Sequence, residues 1–391
     1  MLLKVRQKQF ELGDKPDKLL SHQLRGLQAS RAIHKIKNKE GVFLTNPSEI
    51  NDTFKDFYKE LYKSKGCSDP SLLTNFLHSL QLPKLGCSEQ AALNADITVE
   101  EILDAIKSFP SGKASGPGGF GIEFYKRFAQ TLSPLLLRMF NHSFGELKLP
   151  QSFYEANISL ILKKGKEETD PSSYRPIALL NSDLKIFTKI LANRLNNCIQ
   201  KIIHLDQTGF IPGRFSFFNV RRLMNILYTR FDSKTSVAIL ALDAEKAFDQ
   251  IEWDYILAVI REFNLGDTFA SWVRMLYAQP RASVLTNFNR STQFRLYRGT
   301  RQGCSLSPLL FAVAIEPLTL AIKKNPLILS PNVGRINHHI SLYADDIILY
   351  IRNPEQSIPP LLNLLETFGK LSGYSLNWQK SEFLAVTDNI D

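Results

Sequence analysis

Cysteine is scarce in this sequence, and its few cysteines form no recognised metal or redox motif. The 391 residues include four cysteines, and no two of them are spaced as a Cys-x-x-Cys pair. No histidine cluster lies at the spacing of zinc ligands. We therefore predict neither a zinc site nor a disulfide framework, and we expect an intracellular protein of the cytoplasm and nucleus, where thiols stay reduced.

Long apolar runs are also missing. The first residues, Met1 to Arg6, are too polar for a secretory leader. The longest apolar stretch of note, Leu309 to Ile315, is far shorter than the ~20 residues that span a bilayer. We therefore expect no membrane anchor. The sequence has no internal repeat and no low-complexity segment.

Basic residues outnumber acidic ones. There are 48 Lys and Arg against 38 Asp and Glu, a net charge of +10. This excess favours a polyanionic partner, because cations near phosphates release condensed counterions. The alternative is a basic surface that only keeps the protein soluble. With 44% hydrophobic and 22% charged residues, the chain is globular and long enough for two or three structural units.

Helical patterns dominate the first part of the chain, and strands alternate with helices after Val237. Apolar spacing predicts helices at 18–37 and 50–62. Thr98 followed by Glu101 predicts a capping box at the start of another helix. Other predicted elements are a short strand or turn at Gly41–Thr45, a loop at Ser111–Gly119, a strand at Ile158–Leu162 and a helix from about Leu184 to Ile203.

Acidic residues stand at two predicted strand ends. Apolar, β-prone residues flank Asp345 and Asp346, which predicts a hairpin with the acidic pair at its tip. A buried-type strand from Val237 ends at Asp243. Taken singly, a polar turn and a helix cap explain these acids. Together they can form a three-carboxylate site for two Mg²⁺ ions, which prefer carboxylates and phosphate oxygens and promote phosphoryl transfer.

Seven motifs occur in a fixed order along most of the chain. They are Tyr174–Asn181, His204–Ile211, Gly213–Arg214, Leu242–Phe248, Arg301–Pro308, Tyr343–Asp346 and Gly373–Trp378 with Lys380–Ser381. In this order they closely resemble the reverse transcriptases of LINE-type, non-LTR retrotransposons. The resemblance covers nearly the whole sequence and is weakest over its first forty residues.

This resemblance implies an α+β right-hand polymerase fragment. Residues 1–150 would form a mainly helical N-terminal extension or linker, and residues 151–391 the fingers and palm, with the thumb absent. The implied activity is that of an RNA-directed DNA polymerase, which extends a DNA primer on an RNA template with dNTPs. It would use two Mg²⁺ ions, for which Mn²⁺ can substitute. Protein partners cannot be predicted.

Two alternatives to that activity stay open. The family usually has an endonuclease before this region and a thumb with a Cys/His-rich segment after it, and this sequence shows neither. It could therefore be a truncated, inactive relic that retains the fold and a nucleic-acid-binding surface. An RNA-directed RNA polymerase would use similar paired acids, although a bulky Phe248 does not favour it.

The resemblance also implies which residues act on the reacting groups. Asp243, Asp345 and Asp346 would hold the metal ions. Lys380 would protonate the departing pyrophosphate, although an ordinary surface lysine is the alternative. Phe248 would lie beneath the incoming sugar and exclude a 2′-hydroxyl, whereas as an isolated residue it would be assigned to core packing.

Other residues in the region of resemblance would contact the incoming nucleotide. Lys163, Lys164 and Arg175 would clamp the triphosphate from the fingers, and the choice between the two lysines stays open. As isolated residues they would be solvated cations. Gln302 would contact the nucleotide, with Gly303 beside it in a segment that lies against the nascent base pair; without the resemblance, Gly303 is simply a flexible turn residue.

A helix is predicted directly after that segment. Ser307 is a suitable N-cap and Pro308 a suitable first helical residue. We expect the helix to continue through Val313 and to kink or end at Pro317, because a proline lacks the amide donor that the helix interior needs.

Overall fold

The computed structural model describes residues 32–66, 69–232 and 234–387, and these form a mixed α and β protein. The helix predicted at 18–37 falls mostly outside this part of the chain. Its last residues, Ile36–Lys37, form a strand instead, because they pair with the strand at Phe43–Leu44. That second strand agrees with the prediction for Gly41–Thr45.

Helices make up most of the chain before Glu155. In order, the elements are β1 (Ile36–Lys37), β2 (Phe43–Leu44), α1 (Pro47–Leu61), α2 (Pro70–Ser79), α3 (Cys87–Asn94), α4 (Val99–Ser108), α5 (Ile122–Arg127), α6 (Ala129–Gly145) and α7 (Gln151–Tyr154). The capping box that begins α4 is confirmed: Thr98 Oγ1 accepts from the Glu101 amide, and the Glu101 carboxylate accepts from the Thr98 amide. It satisfies two amides that the first helical turn leaves without partners.

Strands and helices alternate in the middle of the chain. The elements are β3 (Glu155–Leu162), a 3₁₀ turn (Pro171–Ser173), β4 (Tyr174–Leu180), α8 (Ser182–Asn196), a second 3₁₀ turn (Ile199–Lys201), α9 (Phe217–Leu227), β5 (Val237–Leu242), α10 (Ala247–Gln250), α11 (Trp253–Glu262) and α12 (Asp267–Leu276). The helix predicted to reach Ile203 is therefore wrong at its end. It stops at Asn196, where two successive asparagines have low helix propensity, and Cys198 leaves the helical conformation with φ −125°.

The last part of the chain contains the second predicted acidic segment. Its elements are β6 (Arg281–Thr286), β7 (Asn289–Arg290), β8 (Phe294–Arg295), α13 (Ser307–Lys324), β9 (Asn332–Val333), β10 (Ile336–Asn337), β11 (Ile340–Tyr343), β12 (Asp346–Arg352), α14 (Pro354–Ser372) and β13 (Glu382–Ala385). The hairpin predicted around Asp345 and Asp346 is present as β11 and β12.

One prediction for α13 is wrong, and of the two alternatives given for Pro317, a kink or an end of the helix, the end is excluded. Leu306 already has helical dihedral angles and is the N-cap, so Ser307 is the first helical residue rather than the cap. The helix also continues through Pro317 to Lys324. Nearly every residue on both sides of Pro317 is buried, and this packing offsets the single hydrogen bond that the proline cannot donate.

The chain divides into two compact units. The first comprises the described residues up to Phe57 together with Ile158–Ile177 and Ser283–Thr292. Within it, the ring of Phe54 packs edge-on against Tyr174, with 5.1 Å between centroids. The buried Asn51 amide donates to Val284 O and Thr286 Oγ1. These contacts hold α1 against strand residues of the same unit.

The second unit comprises Tyr58–Asn157, Ala178–Ala282 and the chain from Gln293 onward. It contains a four-stranded sheet of order β11-β12-β5-β13, in which all neighbours are antiparallel. Helices α11, α13 and α14 pack together in its core. Tyr255, Phe311 and Phe368 are among its largest fully buried side chains, and burying such rings is a main source of stability.

In the described part of the chain, neither a disulfide bond nor a membrane-spanning helix is found. Cys87, Cys198 and Cys304 are free, and burial first of all raises the pKa of the Cys198 thiol to about 11. None of the helices between residues 32 and 387 combines the length and the apolar character needed to cross a bilayer.

Candidate active site

Strand pairing in the second unit brings two of the predicted acids together. Ile347 of β12 lies opposite Leu242 of β5, so the next residues at that end of the two strands are Asp346 and Asp243. Burial and then the charge of the nearby Asp243 raise the pKa of Asp346. Asp243 follows directly after β5, as the sequence predicts.

The third acid lies in the hairpin turn. Tyr343 pairs with Asp346, which leaves Ala344 and Asp345 as a two-residue turn. Ala344 has φ +58°, in the left-handed region that residues with a side chain rarely adopt, and it is buried. Such a conformation persists only when surrounding contacts impose it. The turn therefore presents Asp345 next to Asp346 from a fixed backbone.

Tyr374 lies near all three carboxylates. Burial raises the pKa of its phenol, and the charges of Asp345, Asp243 and Asp346 raise it further, in that order. Its hydroxyl is buried without a hydrogen-bond partner among the described residues. Tyr374 was not predicted as a site residue, although it belongs to the motif Gly373–Trp378.

The segment after Tyr374 holds the end of β5. Glu245 N donates to Ser375 O, and Asn377 N donates to Asp243 O, both at 2.8 Å. Asp243 N donates to Ser381 Oγ at 3.2 Å. These bonds bring Lys380 close to the site, where its ammonium lies 3.4 Å from Asp243 Oδ2. Both side chains keep partial access to solvent, so the pair adds little stability.

The carboxylate oxygens of the three acids suit a hard divalent cation, but their arrangement is not that of a complete metal site. Asp243, Asp345 and Asp346 supply only carboxylate oxygens, which Mg²⁺ and similar ions prefer. Across the described residues, no three His, Cys, Asp or Glu side chains are arranged as a complete set of metal ligands. The mutual repulsion of Asp243 and Asp346 is nevertheless the electrostatic condition that a bound cation would relieve.

Phe248 lies in a short stack of aromatic rings. It belongs to α10, which Lys246 introduces with φ +48°. Its ring is half-buried and stacks on Phe311, with 4.3 Å between centroids. Phe210 packs edge-on at 6.2 Å. Phe248 therefore packs against the core and is still partly accessible, and its role as a gate stays a prediction.

Gln302 and Gly303 lie beside the α10 turn. Gln302 Nε2 donates to Asp249 Oδ2 at 3.1 Å, and its main-chain oxygen accepts from Ala178 N. Gly303 has φ +111°, and a Cβ atom there would lie 2.6 Å from Ala178 O. The backbone therefore requires glycine at this position, and flexibility of the turn is not the only reason for it.

The three predicted fingers cations lie in the first unit. Lys163 and Lys164 follow β3, and Arg175 lies in β4. Lys163 is half-buried, and its ammonium donates to Ser172 O at 3.2 Å, whereas Lys164 and Arg175 are exposed. Their role toward the three acids stays a prediction.

A buried group of charged residues behind the hairpin was not predicted. Asp206 accepts from Arg222 at 2.5 Å and from Lys323 at 2.8 Å. Burial would raise the pKa of Asp206, but the His204 hydrogen bond and these two cations outweigh it and hold that pKa well below its usual range. Glu316 lies nearby, fully buried. The single glutamate within the largely apolar sequence of α13 could have indicated this group, because a glutamate is rarely buried without a partner.

Comparison with known proteins agrees with this arrangement. The profile of the reverse transcriptase (RNA-dependent DNA polymerase) family matches residues 161–391. This stretch contains the three acids and Tyr374. Members of that family generally use divalent metal ions.

Several curated proteins of transposable elements are similar to this chain. The transposon TX1 uncharacterized 149 kDa protein of Xenopus laevis is 31% identical over 88% of this chain and 26% of its own length. The probable RNA-directed DNA polymerase from transposon BS of Drosophila melanogaster is 31% identical over 66% of this chain and 28% of its own. The RNA-directed DNA polymerase from mobile element jockey of Drosophila funebris is 24% identical over 81% and 34%. The chain thus spans about a quarter to a third of the length of these relatives.

Proposed function

Because this chain belongs to the reverse transcriptase (RNA-dependent DNA polymerase) family of LINE-type elements, we propose that it extends a DNA primer on an RNA template with dNTPs. The observation that carries the proposal is the meeting of three acids at one end of the four-stranded sheet, where the charges of all three act on Tyr374. The net charge of +10 suits a polyanionic template and primer.

The three acids are the proposed metal ligands. Asp243 and Asp345 are the principal ones, and Asp346 supports them. Two Mg²⁺ ions, or Mn²⁺ in their place, would supply activation of the primer hydroxyl and charge neutralisation at the transferred phosphoryl group. The protein's part is to hold three carboxylates on rigid backbone, two of them at the ends of paired strands.

Lys380 and Phe248 have proposed roles toward the nucleotide. The Lys380 ammonium, 3.4 Å from Asp243, is the proposed proton donor to the departing pyrophosphate. The accessible edge of Phe248 would lie beneath the sugar, and its stacking on Phe311 would keep the ring rigid. A rigid ring excludes a 2′-hydroxyl better than a mobile one.

The remaining predicted residues would bind the rest of the nucleotide. Lys163, Lys164 and Arg175 would hold the triphosphate, and of the two lysines the exposed Lys164 has its ammonium more available. Gln302 would contact the nucleotide while its bond to Asp249 fixes the side chain. In this proposal residues 151–391 are fingers and palm, and residues 1–150 a mainly helical extension.

Primer extension by the chain itself tests the proposal. A labelled DNA primer annealed to an RNA template is incubated with dNTPs and MgCl₂, and parallel reactions contain EDTA or receive rNTPs in place of dNTPs. We expect dNTP-dependent extension that EDTA abolishes. Extension with rNTPs alone would indicate an RNA-directed RNA polymerase. Template binding without extension in either Mg²⁺ or Mn²⁺ would indicate the inactive relic.

A further inference from the structure

The segment Asp206–Gly209 runs along the outer side of the acidic hairpin. Gln207 forms a parallel bridge with Leu342 of β11. On either side of it, Leu342 N donates to Asp206 O and Thr208 N donates to Leu342 O, each at 2.9 Å. The segment thus acts as a short additional strand that ends beside the turn.

Gln207 contacts the turn itself with its side chain. The residue is fully buried. Its Oε1 accepts from Ala344 N at 3.0 Å and from Gly209 N at 2.8 Å. Its Nε2 lies 3.3 Å from Ala344 O, to which it donates. One side chain therefore binds both main-chain groups of the residue that has the left-handed φ.

The contacts around Gln207 fix its position. Gly209 approaches the turn so closely that a Cβ atom on it would overlap Ala344 N. Asn219 Nδ2 donates to Leu342 O at 2.8 Å. Asp206, one residue before Gln207, is held by Arg222 and Lys323. A buried amide whose oxygen and nitrogen both take part in hydrogen bonds is expensive to rearrange.

We infer that Gln207 is a positioning residue for the proposed polymerase reaction. It imposes the unfavourable conformation of Ala344 and thereby sets where Asp345 and Asp346 point. This inference rests on the proposed function for its catalytic consequence. Its structural part, the restraint of the hairpin turn, stands independently of activity.

The test compares Gln207→Met with Asn94→Leu. Asn94 is a matched control, because its amide also makes three hydrogen bonds to main chain, to Gln90 O, Leu265 O and Phe269 N, and none to the hairpin. Hydrogen–deuterium exchange is followed for the peptide covering 340–350. Primer extension gives kcat and KM for dNTP in the same variants.

We expect exchange in 340–350 to be on the order of tenfold faster in Gln207→Met and unchanged in Asn94→Leu, because only the first loses the bonds to Ala344. The kcat of Gln207→Met should fall roughly 10- to 100-fold with little change in KM, since small misplacement of reacting groups has effects of that size. Should Gln207→Met fail to fold, Gln207→Asn replaces it: this variant buries no charge, and its shorter side chain withdraws the amide from Ala344, so faster exchange is again expected.

Unchanged exchange in the hairpin peptide of the folded Gln207 variant would overturn the inference. So would equal losses of kcat in Gln207→Met and Asn94→Leu. An unmutated chain that never extends a primer would overturn the proposed function alone, because the exchange measurement would still report whether Gln207 restrains the turn.

Discussion

Replacement of Glu316 by Gln should make the stability of the protein less sensitive to pH. Glu316 lies in α13 with 1% of its surface exposed. Its Oε1 accepts from His204 N at 2.9 Å, and its Oε2 has no partner among the described residues. Burial, and then the nearby charge of Asp206, raise the pKa of Glu316 from 4.5 to about 8, despite the opposing effects of His204, Lys323 and Arg214.

The sign of the effect follows from proton uptake. Between pH 4.5 and about 8, Glu316 keeps its proton in the folded state and loses it in the unfolded state. Its contribution to the free energy of unfolding is therefore complete below pH 4.5 and is lost as the pH rises to about 8. At about 1.4 kcal/mol per pKa unit, the total loss is on the order of 5 kcal/mol. Glutamine retains the acceptor for His204 N and cannot ionise.

Thermal unfolding at pH 6 and pH 8.5 measures this difference. Between these two values the unmutated protein should lose several degrees more of Tm than Glu316→Gln. His338 and His339, whose pKa values burial lowers, are common to both proteins and cancel. Glu100→Gln, at an exposed position in the first turn of α4, should behave as the unmutated protein. Parallel curves for Glu316→Gln and the unmutated protein would refute the reasoning.

Two further predictions concern single side chains at the site. Phe248→Val should lower the ratio of kcat/KM for dNTP over rNTP roughly 10- to 100-fold, because a steric clash of this kind amounts to ~1–3 kcal/mol; equal losses for both substrates would make Phe248 a core residue stacked on Phe311. Gly209→Ala should lower Tm by several degrees, since its Cβ would overlap Ala344 N, whereas Gly145→Ala meets no atom within 4 Å and should not. Equal Tm values for the two alanine variants would show that the hairpin accommodates the added Cβ without a loss of stability.

Local patterns were sufficient to predict where the acids lie along the chain. Apolar β-prone residues on both sides of Asp345 and Asp346 specify a hairpin, and a run of buried residues specifies the strand that ends at Asp243. The acids themselves suggested that the two segments approach each other, and the family resemblance then implied it. The residue pairing that puts Asp346 beside Asp243 could be read only from the structure.

Contacts between distant parts of the chain were beyond the sequence. Gln207 and Ala344 are 137 positions apart, and no local pattern marks an amide that binds a remote turn. The same holds for Tyr374 close to the acids. Helix ends were missed for another reason: the burial around Pro317 overrides a local preference, and the extent of that burial depends on the whole fold.

Substitution of one acid tests the central claim most directly. Asp243→Asn removes a carboxylate charge and is compared with Asp254→Asn, an exposed acid in the first turn of α11. Primer extension on an RNA template should be abolished by the first change and retained with the second, while Tm changes little in either, because neither side chain is buried in the core. Extension by Asp243→Asn at close to the unmutated rate would contradict the assignment of this site.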